Sequence, residues 1–175
     1  MENKKSIFST YGLFWRRDEV EWAPGKGNSV FSLLGRQNQN RPALRVADFR
    51  YQTGIYVLYD DFGPYYVGLA STPGIGHRLR EHTRDKHADA WDRFSWFGFR
   101  GVLDAKDHDG VQRLGEVNVV RNLKSKETIR EMEALLMMNL GTNVRGNVQS
   151  GRLGSAEAWE QVKLDETDSL LGRLT

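Results

Sequence analysis

Gly54-Ile55-Tyr56-Val57-Leu58-Tyr59-Asp60-Asp61-Phe62-Gly63-Pro64-Tyr65-Tyr66-Val67-Gly68 reads as two strands joined by a short turn. Aromatic and β-branched residues fill both arms, which suits a pleated surface. Asp60, Asp61, Gly63 and Pro64 interrupt them as hairpin loops do. Side chains alternate faces along a strand. Ile55, Val57 and Tyr59 therefore share one face of the first arm, and Tyr65, Val67 and Leu69 share one face of the second. Packing those apolar faces on a core predicts that Tyr56 and Tyr66 lie together on the open face.

Outward from this hairpin, the spacing predicts a helix over residues 77–86. There Arg78 and His82, at i and i+4, share a face. Arg80 and Arg84 make a second stripe, whose plain reading is a solvated surface. His77, His82 and His87 recur every five residues. On a helix that spacing scatters them, which argues against a metal site. Residues 94–103 are aromatic and read as a third strand. Residues 111–123 are ambiguous between helix and strand.

Ser125 is a candidate N-cap for a helix running to Leu140, with Gly141 as its stop. At about 100° per residue, Ile129, Met132, Leu136, Leu140 and Met137 form an apolar arc that contains Glu133. Glu127 and Glu131 fall on the opposite side. A carboxylate in a core-facing stripe is costly unless it is paired or bound to a cation. A structural ion pair and a metal ligand both satisfy that demand.

Gly54-Ile55-Tyr56 followed by Tyr66-Val67-Gly68, then Arg78 with His82, Glu133, and Asn143 just after its helix, resembles the GIY-YIG nuclease family over roughly residues 54–147. Val67 stands where the family usually has Ile. The resemblance implies an α+β fold: a small three-stranded, mainly antiparallel sheet flanked by helices. It implies hydrolysis of a phosphodiester, with Tyr56 positioning or deprotonating the water, Tyr66 assisting and His82 passing protons or touching phosphate. Arg78 would bind phosphate through its guanidinium fork. Glu133 would hold one Mg²⁺ or Mn²⁺, an ion that seeks hard oxygen donors. Asn143 would orient neighbours, with Asn147 as the fallback. A tyrosine serves as a base only if its pKa falls well below ~10, which a nearby cation would bring about.

The remainder of the chain divides into an extension, residues 1–53, and a tail, residues 148–175. Residues 6–22 alternate loosely and suggest a second hairpin with a polar break at Arg16-Arg17. Residues 24–29 are a Gly-containing loop without P-loop spacing. Residues 35–42 read as a polar loop, either at a nucleic-acid surface or plainly solvated. Residues 156–171 suggest a short helix packed back on the domain.

The extension holds nine Lys/Arg against five Asp/Glu, while residues 54–147 hold thirteen of each. The surplus positive charge predicts DNA contacts from Arg16, Arg17, Lys26, Arg36 and Arg41, with Arg80 and Arg84 beside them. Some 39% apolar and 27% charged residues fit a globular domain. No run reaches the ~20 apolar residues of a membrane span. The start lacks a secretory h-region and the chain has no cysteine, so a cytoplasmic location is expected. The expected protein is a divalent-metal-dependent DNA endonuclease of stand-alone restriction or defence type. Its specificity would come from the extension, a second copy or a targeting partner. The alternative is a nucleic-acid-binding accessory module that does not cleave.

Overall fold

The computed structural model describes residues 6–24, 30–40, 42–117, 124–140 and 153–174. Lys26, Arg41, Asn143 and Asn147 lie outside the described residues. The described residues form a mixed α+β fold whose strands make two five-stranded sheets.

The expected hairpin is β4 (Gly54–Asp60) and β5 (Gly63–Ala70), paired antiparallel with Tyr56 opposite Gly68. The third expected strand, β6 (Arg93–Gly98), pairs with the other side of β4. The three-strand expectation ends there. β1 (Thr10–Arg16) adds antiparallel to β6, and β9 (Glu157–Ala158) adds parallel to β1. The first sheet therefore has the order β5-β4-β6-β1-β9. Residues 6–22 do not form a hairpin of their own. After β1 the chain turns through a 3-10 helix at Arg17–Glu19, and the β1 ladder is satisfied by a strand some eighty residues away.

Residues 94–103 are not one strand either. The chain bends after Gly98 and continues as β7 (Arg100–Lys106) in the second sheet. Gln52 pins this corner and is wholly buried. Its Nε2 donates to Thr10 Oγ1 (2.9 Å) and to the Arg100 carbonyl (2.8 Å). Its Oε1 accepts from the backbone N–H of Thr53 and of Arg100, each at 2.9 Å. A fully bonded buried amide of this kind fixes one geometry, since any unmade bond would cost its desolvation. The second sheet joins β2 (Leu34–Gln37), β3 (Arg45–Asp48), β8 (Gln112–Val117) and β10 (Glu160–Gln161) in the order β10-β2-β3-β8-β7. The extension and the tail each place strands in both sheets, so they are woven into the fold.

Among the described residues, three α-helices accompany these sheets. α1 (Ile75–His82) is shorter than the sequence predicts. No glycine or proline stops it. Thr83 Oγ1 bonds back to the Arg80 carbonyl (2.7 Å), and the Asp85 carboxylate accepts from the His87 backbone N–H (2.8 Å), an Asx turn that competes with the helix. α2 (Ser125–Leu140) has the expected bounds but the opposite rotation. Ala134 and Met138 pack on Phe8 and Phe97, while Ile129, Met132, Leu136 and Leu140 are exposed. Both sides of α2 carry apolar residues about half a turn apart. The smaller side chain of Ala134 suits the side pressed against the aromatic floor. In place of a tail helix over 156–171 the chain forms β9, β10, a 3-10 turn and α3 (Thr167–Leu171). Among the described residues, no helix is long and apolar enough to cross a membrane.

Candidate active site

Strand parity in the hairpin is as expected, but the Tyr56 face is not open: β4 is covered on both faces, with Val57 and Tyr59 buried as well as Tyr56. Tyr56 is wholly buried, in the same core as Leu58, Trp96 and Leu79 of α1. Tyr65, Val67 and Leu69 are exposed on one face of β5, an edge strand. Two close approaches build this arrangement. A Cβ on Gly54, which has φ +154°, would meet the Phe97 carbonyl oxygen at 1.9 Å. A Cβ on Gly68 would meet the tip of the Tyr56 ring at 2.3 Å. Glycine on the neighbouring strand leaves room for the tyrosine hydroxyl.

That hydroxyl reaches α1. Tyr56 Oη lies 2.8 Å from His82 Nε2, and His82 Nδ1 lies 2.8 Å from Asp85 Oδ2. With Nδ1–H donating to the carboxylate, Nε2 accepts from Tyr56. The three groups form one hydrogen-bonded chain from the core to the surface. Tyr66 packs beside it, with ring centroids 6.2 Å from Tyr56 and 5.1 Å from His82. Tyr65, on the opposite face of β5, bonds His87 Nδ1 at 2.9 Å.

Electrostatics separate the ends of the chain. Burial pushes the Tyr56 hydroxyl up to about 12, with Tyr66 adding to the rise and Arg78 opposing it. The expectation of a lowered tyrosine pKa is thereby corrected: desolvation outweighs the nearby cation, so Tyr56 is a neutral donor. At Asp85, burial pulls upward, but the His87 backbone N–H and the His82 ring together hold the carboxyl below its ordinary range.

Arg78 is exposed and ion-paired to Glu81 at 2.8 Å. A groove of about 440 Å³ beside it is lined by Pro73, His77, Arg80, Glu81, Arg84 and Asp85. Arg84 is exposed there, while the guanidinium of Arg80 lies 5.3 Å above the Phe31 ring. A larger cleft of about 520 Å³, lined by Asp48, Arg50 and Arg100 among others, contains none of the Tyr56–His82–Asp85 chain. We place the site at the groove because the hydrogen-bonded chain opens there.

Other expected residues lie elsewhere. Glu133 is exposed on α2, against the expectation that it faces the core. The buried carboxylate is Glu131, which accepts the Ser6 hydroxyl. Among the described residues, no hydrogen bond or ion pair reaches the Glu133 carboxylate. α2 packs on the face of the first sheet that carries Ile55, opposite the Tyr56 face. The structure therefore joins Tyr56, Tyr66 and His82, sets Arg78 nearby, and leaves Glu133 on the other side. Arg16 forms two bonds to Asp18, at 2.9 and 2.8 Å. Arg17 donates to the carbonyls of Ala88 and Trp91 and stacks on Trp91, so it is structural. Arg36 stands in β2, not in a loop, and pairs with Glu166 at 3.0 Å.

Asp85, His87 and Tyr65 were missed as site groups. Their signal was the Asx-forming Asp85-x-His87, hidden by a helix extended too far. The chain matches no family model, no curated protein and no solved structure.

Proposed function

We propose that this protein is a divalent-metal-dependent DNA endonuclease that hydrolyses phosphodiester bonds, with Tyr56, His82 and Asp85 as its proton path. The observation that carries the reading is the continuous chain from Tyr56 Oη through His82 to Asp85. Water attacking phosphorus must lose a proton. The Tyr56 hydroxyl takes that proton as it hands its own to His82 Nε2. Asp85 holds Nδ1–H and stabilises the imidazolium that forms. Because Tyr56 is buried, the reading requires half-buried Tyr66 to give way to the phosphate. Arg78, leaving Glu81, offers its fork to the phosphate oxygens, and Arg80 and Arg84 lie along the same groove.

Glu133 would hold Mg²⁺ or Mn²⁺: its carboxylate is a hard donor, exposed and without a described partner, and water and phosphate would complete the shell. Bound there, the ion would supply charge neutralisation to a phosphate, but α2 lies on the sheet face opposite Tyr56, so the proton path at the groove takes no step from it. The enzyme would act in the cytoplasm as a stand-alone restriction or defence nuclease, with a second copy or a targeting protein supplying specificity.

A second reading, a DNA-binding module without cleavage, is favoured by the placement of Glu133 and Tyr56 on opposite faces of the sheet. Plasmid nicking in Mg²⁺ or Mn²⁺ decides between them. The endonuclease nicks, chelator stops it, and Glu133→Gln lowers the rate by at least about a hundredfold while DNA binding persists. Intact plasmid under every condition, with salt-dependent DNA binding, assigns the binding module. Near-normal nicking by Glu133→Gln removes the metal from α2.

A further inference from the structure

We propose that His82, Asp85 and His87 form a binding site for a divalent transition ion of the zinc type, distinct from any Mg²⁺ held at Glu133. Because α1 stops at His82 and the Asx turn folds the chain back, the two histidines come together instead of scattering around a helix. One ligand atom from each of the three residues lies within 4.8 Å of the other two. The two imidazole rings are 5.1 Å apart at their centroids and stand edge to face.

The outer partners of the two rings give the independent argument. Each imidazole is held on one nitrogen by a tyrosine hydroxyl: Tyr56 on Nε2 of His82 at 2.8 Å, and Tyr65 on Nδ1 of His87 at 2.9 Å. A metal-ligating histidine needs its other nitrogen held in this way, because the outer bond fixes ring orientation and tautomer. Here it directs His82 Nδ1 toward Asp85 and leaves Nε2 of His87 as its donor. Two imidazoles and one carboxylate are the donor set of open zinc sites and suit Zn²⁺ over Mg²⁺. His82 is nearly buried, whereas Asp85 is exposed and His87 half-buried, so an ion reaches the three donors from solvent.

This inference adds a control to the relay reading and on that point rests on it. An ion on His82 Nδ1 obliges Nε2 to carry the ring proton. His82 then donates to Tyr56 and accepts nothing from it, so zinc silences the proton path.

The test is made on the metal-stripped protein without DNA, so its outcome is independent of cleavage. Zn²⁺ is titrated calorimetrically, and Co²⁺ is followed by its visible absorption. One saturable ion is expected per chain. His87→Ala should weaken it by more than the ~10–100-fold that removing an outer partner costs, and Tyr65→Phe should fall within that range. His108→Ala, in the exposed Asp107–His108–Asp109 cluster, should leave it unchanged. The proposal is overturned if wild type shows no saturable binding, if folded His87→Ala binds as wild type does, or if His108→Ala abolishes binding. Asp85→Asn guards against a folding defect in His87→Ala, since it removes a donor at an exposed position and should lose the ion too.

Discussion

The two faces of the first sheet treat buried polar groups in opposite ways. On the α1 face, Tyr56 is joined to His82 and His82 to Asp85, whose carboxylate is exposed. On the α2 face, Glu131 is closed off inside by Ser6, and Tyr59 by Asn139 at 2.5 Å. The first network leads outward and can exchange a proton with something that arrives. The second ends within the fold and can only hold it in place. A buried polar group is therefore a catalytic candidate by where its hydrogen bonds lead, not by being buried.

The strongest way to break this contrast is at Tyr56 and Tyr65. Tyr56→Phe should lower cleavage by at least about a hundredfold, the scale of removing a proton-transfer group. Tyr65→Phe, outside the chain, should change it only severalfold. Single-turnover cleavage of matched substrates by both folded variants checks this. The reverse ranking would put the proton path on the other face.

Glu131 sharpens the other side. Burial raises its carboxyl above the ordinary range, against the lowering pull of Ser6 and nearby backbone N–H groups. A group with a raised folded pKa gives stability that is fully present below the unfolded value and lost as pH rises through the folded one. Urea unfolding from acid to neutral pH should show that loss, and Glu131→Gln, which cannot ionise, should flatten it. Glu131→Ala, which removes the buried carboxylate that accepts the Ser6 hydroxyl proton, should cost about 1–3 kcal/mol at neutral pH. A wild-type profile as flat as that of Glu131→Gln would contradict the raised pKa.

The smallest effect concerns the arginines. Neutralising Arg16 and Arg84, both exposed, should reduce the salt slope of DNA binding by about 0.9 for each phosphate that their charges had neutralised. Arg17→Ala should instead lower stability, since its guanidinium is spent on two carbonyls and the Trp91 ring. An unchanged slope with normal folding would mean that the exposed arginines do not touch phosphate.

What was legible in the sequence was local. β4, β5, β6 and α2 follow from alternation, turn residues and helical period, and the shared face of Tyr56 and Tyr66 follows from parity. The outward face of α2 was not legible, because Ile129, Met132, Leu136 and Leu140 make as good an apolar stripe as the side that carries Ala134 and Met138. Nor was the partner of β1, whose ladder closes with a strand far along the chain. The Asp85 turn was hidden because a carboxylate bonding a backbone N–H leaves no gap in hydrophobic period. Arg36 looked free because its partner Glu166 is 130 residues away.

Gly54 and Gly68 carry one more consequence. Each is spelled by sterics: one by a carbonyl that would occupy its side chain, the other by the tip of a tyrosine. A pair of tight strands around a sunken phenol would call for the same two glycines whether or not it ever met a phosphate. The signature is thus a record of carpentry, and chemistry enters it only through what the phenol is allowed to touch.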